Sequence, residues 1–89
     1  MAGGLPVNRT VNGLAVDPQN PRVMYAATRD GLFKSLDGGE SWKAIAKELK
    51  NLAAVAVNPR KPSEMYAVTS EGIVFKSADG GTTWVSQQR

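Results

Sequence analysis

The sequence repeats itself once with a period of about 42 residues, and this repeat constrains the fold more than any other feature. Apolar residues, prolines, glycines and aromatic residues recur in the same order in both halves, which chance does not produce. A one-residue insertion at Ile73 or Val74 is the main difference in spacing between the halves. The matched segments are 14–18 with 55–59, 24–26 with 65–67, 33–35 with 75–77 and 37–42 with 79–84.

A period of 40–45 residues that holds several short strands is typical of β-propeller blades. Each repeat reads as four strands, A to D, which are separated by pairs of prolines and by turns at Gly31 and Gly72. The sequence therefore predicts an all-β chain with two four-stranded antiparallel sheets. The strands are A at 12–17 and 52–58, B at 23–28 and 64–69, C at 32–35 and 73–77, and D from Trp42 and from Trp84.

Strand B of the first repeat is apolar at every position from Val23 to Ala27. A strand with one wet face would alternate between apolar and polar residues, so this strand is expected to be covered on both faces. The small side chains of Ala26, Ala27 and Ala67 would let neighbouring sheets approach closely. Proline and glycine on either side favour a strand over a buried helix.

The segment from Ser41 to Leu49 disagrees with this pattern when it is read alone. Its apolar residues have the i, i+3, i+4, i+7 spacing of an amphipathic helix, and Ser41 stands where an N-cap belongs. The equivalent segment Trp84-Val85-Ser86 looks like a strand, so we interpret both as strand D. A short helical turn around 46–49, after a brief strand, remains open.

The pattern Ser-x-Asp-x-Gly-x-[Ser/Thr]-Trp occurs at 35–42 and again at 77–84. Both copies fall between strands C and D, where the chain must reverse tightly. Glycine reaches positive φ without strain, and an aspartate carboxylate accepts hydrogen bonds from nearby backbone N–H groups. A tryptophan can pack its ring over such a turn. The pattern therefore predicts a self-contained structural turn.

With these two motifs the chain resembles the Asp-box (BNR) repeat family, from about Val11 to Trp84. That family includes sialidases, sortilin-type receptor ectodomains, some xyloglucanases and photosystem II assembly factors. The resemblance implies β-propeller blades in which the box has a structural role away from any active site. The structural residues are then Ser35, Asp37, Gly39, Trp42, Ser77, Asp79, Gly81 and Trp84.

Composition excludes several classes of site. The 89 residues include no cysteine and no histidine, which excludes disulfides and zinc sites built on these residues. The net charge of +3 is spread over mixed signs, so we expect no nucleic-acid partner. No apolar run could span a bilayer, and Met1 to Gly4 do not begin a secretory signal. We expect no metal and no cofactor, and the sequence does not indicate a compartment.

Nothing in the sequence assembles a catalytic centre. Tyr25 and Tyr66 hold equivalent positions inside strand B, which indicates a core role. Arg22, Arg29 and Arg60 do not recur at equivalent positions, as an arginine cluster for a sialidase-type site would require. No pair of carboxylates stands out as a glycosidase pair. We therefore expect no catalysis.

Binding residues of a propeller lie on loops at one rim. Because strand direction alternates, the B–C and D–A loops share the rim opposite the motif turns. The candidate contact residues on that rim are Arg29, Asp30, Ser70, Glu71, Lys50 and Asn51.

Two blades alone leave two apolar faces without a neighbour, which predicts a partner. We assign residues 1–10 to an N-terminal extension available for strand exchange, 11–46 to blade 1 and 47–89 to blade 2. The expected function is a structural module that assembles with itself into a closed ring, a trimer or a tetramer, or stacks on further blades of a parent chain. The alternatives are a domain that binds protein or glycan through the B–C and D–A rim, and a fragment of a glycosidase propeller.

Overall fold

The computed structural model describes residues 11–87, and within them the chain forms strands and turns but no helix. The strands make two four-stranded antiparallel sheets, in the orders β1-β2-β3-β4 and β5-β6-β7-β8. This confirms the predicted all-β architecture. The strands are β1 Gly13–Val16, β2 Met24–Thr28, β3 Gly31–Ser35, β4 Lys43–Ala46, β5 Leu52–Val57, β6 Met65–Thr69, β7 Val74–Ser77 and β8 Val85–Ser86.

The segment with helical spacing is a strand followed by a turn. Lys43–Ala46 forms β4, and the N–H of Leu49 then donates to the carbonyl of Ala46 at 3.3 Å. Strand D of the first sheet thus starts one residue after Trp42, where it was predicted to begin. Residues 46–49, where a short helical turn was an alternative, form a single hydrogen-bonded turn. The equivalent strand of the second sheet is shorter, since β8 comprises only Val85–Ser86. The proposed exchange strand at 1–10 lies outside the described residues.

The two sheets stack face to face, with β5 lying against β1 and β2. One apolar core fills the space between them, with Tyr25, Ala27 and Leu32 on one side and Val55 and Met65 on the other. The close approach is visible at Gly13, where an added Cβ would lie 2.9 Å from the Cα of Ala54. Burial of apolar surface between the sheets therefore holds the two repeats together.

Cross-strand pairing defines the two faces of the first sheet, because directly paired residues point to the same side. The Tyr25 face carries Ala15, Tyr25, Lys34 and Lys43 in one row and looks toward the second sheet. The Leu14 face is the outer side, with Leu14 paired to Ala26 and Val16 paired to Met24. Leu14 and Val16 are exposed, whereas Ala26 and Phe33 on the same face are buried.

The second sheet has the same two faces. The Val55 face carries Val55, Ala67 and Phe75 in one row and packs against the first sheet. The Tyr66 face carries Ala56, Tyr66, Lys76 and Val85 in one row and points outward. Tyr66 and Val85 are exposed. The outer face of each sheet is thus the repeat equivalent of the inner face of the other.

In the part of the chain that the structure describes, no helix is long and apolar enough to cross a membrane.

Candidate functional site

The first aspartate turn, residues 35–42, is organised around one carboxylate. The hydroxyl of Ser35 donates to Asp37 Oδ1 at 2.8 Å. From the other end of the turn, the backbone N–H of Ser41 donates to Oδ1 at 2.9 Å and its hydroxyl donates to Oδ2 at 2.6 Å. Asp37 thereby ties the end of β3 to the residue just before Trp42.

Ser35 and Trp42 complete this turn. The N–H of Gly39 donates to Ser35 Oγ at 2.8 Å, and the indole N–H of Trp42 donates to the carbonyl of Gly39 at 3.0 Å. Gly38 and Gly39 have φ values of 75° and 97°, which L side chains rarely adopt. The spacing of serine, aspartate, glycine and tryptophan in the sequence follows directly from these contacts.

The second aspartate turn, residues 77–84, repeats the arrangement. Ser77 donates to Asp79 Oδ1 at 2.8 Å, and the N–H and hydroxyl of Thr83 donate to the same carboxylate at 3.0 and 2.6 Å. The indole N–H of Trp84 donates to the carbonyl of Gly81 at 2.9 Å. The turns share their geometry although their variable positions differ.

Hydrogen bonds to the charged form lower the pKa of both carboxyl groups to about 2, from an ordinary value of 3.8. The largest cause at Asp37 is the Ser41 hydroxyl, and at Asp79 it is the Thr83 hydroxyl. A carboxyl that stays ionised with its acceptors occupied suits a structural tie better than proton transfer. Within residues 11–87, no three acidic side chains come together to hold a metal ion.

Both aspartate turns lie on the rim that carries the A–B loops. The N–H of Gly38 donates to the carbonyl of Arg22, and the N–H of Gly80 donates to the carbonyl of Ser63, each at 2.9 Å. In an antiparallel sheet the B–C and D–A loops lie at the opposite ends of the strands. The predicted candidate residues therefore share one rim, away from the aspartate turns.

Asn51 connects the two sheets at this second rim. Its N–H donates to the carbonyl of Arg29 in the first B–C loop, and its own carbonyl accepts from the N–H of Ser70 in the second, both at 2.8 Å. Asn51 has a φ of 57°, a left-handed conformation that asparagine tolerates better than most residues. The residue before β5 thus fixes the positions of both B–C loops.

A cavity of about 440 Å³ opens beside Asn51, where the two sheets meet. Three predicted residues, Arg29, Asn51 and Ser70, line it. Arg29 contributes the positive charge, and the asparagine and serine side chains contribute hydrogen-bonding groups. The cavity is also lined by Asn12, Leu52 and Ala53.

The other predicted rim residues lie apart from this cavity. Lys50 and Glu71 line a second, smaller cavity of about 380 Å³, together with Asn51. Asp30 is half-buried in the first B–C loop, where its N–H donates to the Thr28 hydroxyl at 3.1 Å. The rim therefore divides into a cleft between the sheets and a groove along the second sheet.

Sequence reasoning did not identify Asn12 as a cavity residue. Its side-chain amide donates to the carbonyl of Leu52 at 3.0 Å and so joins the two sheets. The available signal was a polar residue at the start of an apolar strand, where the second repeat has Ala53.

Tyr25 and Tyr66 each lie on a sheet face beside a lysine of the neighbouring strand. Burial, with a smaller contribution from the charge of Asp17, raises the pKa of the Tyr25 hydroxyl, so this group stays protonated at neutral pH. Lys34 Nζ lies 5.5 Å from the centre of the Tyr25 ring, and Lys76 Nζ lies 5.8 Å from that of Tyr66. These are cation–π contacts that order the sheet faces.

Solved structures with a similar fold include two GH74 enzymes. The chain matches an ancestral GH74 enzyme with a TM-score of 0.79 and 25% identity, over 94% of this chain and 13% of that one. It matches the Niastella koreensis GH74 enzyme with a TM-score of 0.78 and 29% identity, over 86% of this chain and 14% of that one.

A second kind of similar structure is YCF48, a photosystem II assembly factor. The match to YCF48 from Cyanidioschyzon merolae has a TM-score of 0.77 and 20% identity, and covers 97% of this chain and 26% of that one. A structure of YCF48 bound to D1 peptide matches with a TM-score of 0.69 and 16% identity, over 93% of this chain and 28% of that one.

GH74 enzymes and YCF48 are β-propeller proteins, so the two sheets are propeller blades. The chain spans between 13% and 28% of the length of these structures. No protein-family model matches the sequence, and no curated protein matches it.

Proposed function

We propose that this chain is a structural propeller module of the Asp-box type, without catalysis, whose two blades assemble with further copies into a closed ring of three or four chains. The observation that carries the proposal is the placement of exposed large apolar side chains on the two outer faces. Leu14 and Val16 lie on one outer face, and Tyr66 and Val85 lie on the other. Apolar faces of stacked blades are covered by neighbouring blades in a complete propeller.

The small size of the chain supports the same proposal. A chain of 89 residues without disulfides has few means of gaining stability other than burying more surface. Stacking each outer face on another blade buries apolar surface that is now exposed. Further blades of a longer parent chain would satisfy the faces in the same way as additional copies.

Both aspartate turns support membership of the Asp-box family and a structural role. Their carboxylates are occupied by donors from within the same turn, and their indole N–H groups are satisfied there too. The turns therefore stabilise each blade without an external ligand.

The dependence of thermal unfolding on protein concentration tests the proposal. If assembly stabilises the fold, the unfolding midpoint rises as the concentration of the chain is raised from about 1 to 100 μM. A midpoint that does not move over this range, from a chain that is folded throughout, contradicts assembly.

A second candidate function is binding of a protein or glycan at the rim opposite the aspartate turns. It is favoured by the cavity that Arg29, Asn51 and Ser70 line at the junction of the blades. A glycan array and a peptide library, probed with the chain and with Arg29→Ala, test it. A ligand that binds the chain and is lost in Arg29→Ala supports rim binding, and the absence of any ligand from both collections argues against it.

As a third candidate, the chain is a fragment of a glycosidase propeller. The similarity of its fold to GH74 enzymes supports this candidate. Its catalytic residues would then lie on other blades, since none is assigned on these two. Hydrolysis of a glycan by a longer parent chain, but not by this one, would support this reading.

A further inference from the structure

The two outer faces of the chain are the two halves of the interface that already exists inside it. The Tyr66 face is equivalent to the Tyr25 face, and the Leu14 face is equivalent to the Val55 face, as the repeat and the strand pairing show. The inner pair, the Tyr25 face and the Val55 face, is packed together in one core. The two outer faces lie on opposite sides of the stacked sheets, the Leu14 face on the first sheet and the Tyr66 face on the second.

We infer that the Tyr66 face of one copy docks on the Leu14 face of the next copy, in the same orientation in which the Tyr25 face meets the Val55 face. This inference rests on the proposed assembly and specifies its interface and direction. Because the two faces differ, the contact is head to tail, and it generates a ring when the rotation between copies closes.

Exposure of equivalent residues shows which side chains the contact would cover. Tyr25 is 3% exposed in the inner interface and Tyr66 is 38% exposed on the outer face. Val55 is 9% exposed and its equivalent Leu14 is 54% exposed. The two members of each pair have the same place in the repeat, and in each pair only the member at the inner interface is buried.

On the exposed Tyr66 face, a lysine and a tyrosine make the same contact as on the buried Tyr25 face. Lys76 lies over the Tyr66 ring at 5.8 Å, and Lys34 lies over the Tyr25 ring at 5.5 Å. The cost of ordering these side chains is therefore largely met before the copies associate, and preorganisation of this kind favours binding. Pairing of two Tyr66 faces with each other would instead bring Lys76 of one copy toward Lys76 of the other.

Comparison with the inner interface identifies one position at which the contact between copies would be weaker than the contact within the chain. Ile45 of the first sheet reaches the second aspartate turn, where its Cδ1 would lie 3.0 Å from a Cβ at Gly81. The repeat equivalent of Ile45 is Gln87, and the equivalent of Gly81 is Gly39. Gln87→Ile would place an apolar side chain against Gly39 of the next copy and should strengthen the assembly.

Two variants that each block one face test the direction of assembly. Tyr66→Glu removes one face and Leu14→Glu removes the other, and both positions are exposed, so each variant should keep its fold by circular dichroism. Wild-type chain should form the ring, and each variant alone should be monomeric. An equimolar mixture should form a heterodimer and nothing larger, because the two intact faces can meet only once.

The outcomes distinguish a failure of the head-to-tail interface from a failure of the proposed self-assembly. A wild-type chain that stays monomeric overturns the proposed assembly. A wild type that assembles, with either variant dimerising alone or with the mixture remaining monomeric, overturns only the head-to-tail interface. Val85→Glu and Val16→Glu lie on the same two faces and repeat the test if a first variant fails to fold.

Leu36→Glu is the matched control. Leu36 is 68% exposed but lies in the first aspartate turn, at the rim, so the variant should assemble as the wild type does. Loss of assembly in this variant would show that added negative charge, rather than the blocked face, is responsible, and it would overturn the interface.

Discussion

Tyr25 and Tyr66 occupy the same position in two successive blades and each lies beside a lysine, but only Tyr25 is covered by another blade. The two tyrosines differ in exposure because a second sheet covers only one of them, while their local structure is the same. It makes the two residues a matched pair for measuring how much a neighbouring blade contributes.

Replacing each tyrosine by alanine should have unequal effects on the isolated chain. In the monomeric Leu14→Glu background, Tyr25→Ala should lower the free energy of unfolding by about 3 kcal/mol, because it leaves a cavity between the sheets. Tyr66→Ala in the same background should cost about 1 kcal/mol or less, because Tyr66 is exposed on the outer face. Urea unfolding followed by tryptophan fluorescence measures both. Equal losses would show that the inner interface does not stabilise the fold.

Removing the serine hydroxyl of an aspartate turn should destabilise the blade. Ser35 is buried, and its oxygen accepts from Gly39 N–H while its hydrogen reaches Asp37. Ser35→Ala leaves the part-buried N–H of Gly39 without its acceptor, which should cost about 1–3 kcal/mol in urea unfolding. Leu36→Ala, at an exposed position in the same turn, should change the free energy by no more than about 0.5 kcal/mol. Similar effects for the two variants would argue against the role of this turn.

Stability should fall in acid because of Asp37 and Asp79. Their folded-state pKa of about 2 lies below the ordinary value of 3.8, so the unfolded chain binds protons that the folded chain does not. Their contribution is present above the unfolded pKa and is lost as the pH falls from about 4 toward 2. The urea midpoint measured across this range should decline, and Asp37→Asn should decline less steeply. A wild-type midpoint unchanged between these pH values would contradict the arrangement of donors.

Gly31 and Gly72 end the equivalent B–C turns but should differ in their tolerance of alanine. Both have positive φ, 134° and 92°, yet a Cβ at Gly31 would lie 2.6 Å from the carbonyl oxygen of Ala46, whereas one at Gly72 meets nothing within 4 Å. Gly72→Ala should therefore cost about 1 kcal/mol from backbone strain alone. Gly31→Ala should cost at least about 2 kcal/mol, because β3 and β4 must also separate. Thermal unfolding compares the two, and equal costs would contradict the close approach at Gly31.

Much of the fold could be predicted from the repeat and from the aspartate motif. The continuous apolar run of strand B predicts burial on both faces, and Tyr25, Ala26 and Ala27 are all buried. The motif predicts a closed turn because each of its polar residues has a local partner. These features can be predicted because they arise from residues that are close together in the sequence.

The segment after Trp42 could not be interpreted by periodicity, and the structure shows why. Pairing of β3 with β4 shifts register between Leu32 and Phe33. Ile45 and Ala46 consequently both contribute to the core between the sheets, and the following turn adds Leu49. A bulge and a turn thus reproduce the spacing of a helix. The cleft at the rim was only partly predicted, since Asn12 and Asn51 line it from segments that are far apart in the sequence.

Native mass spectrometry of the wild-type chain measures directly whether copies assemble into a closed ring. We expect one dominant species at three or four times the 9.5 kDa mass of the chain, because a closed ring has a fixed number of copies. A folded monomer as the dominant species at micromolar concentration would contradict it.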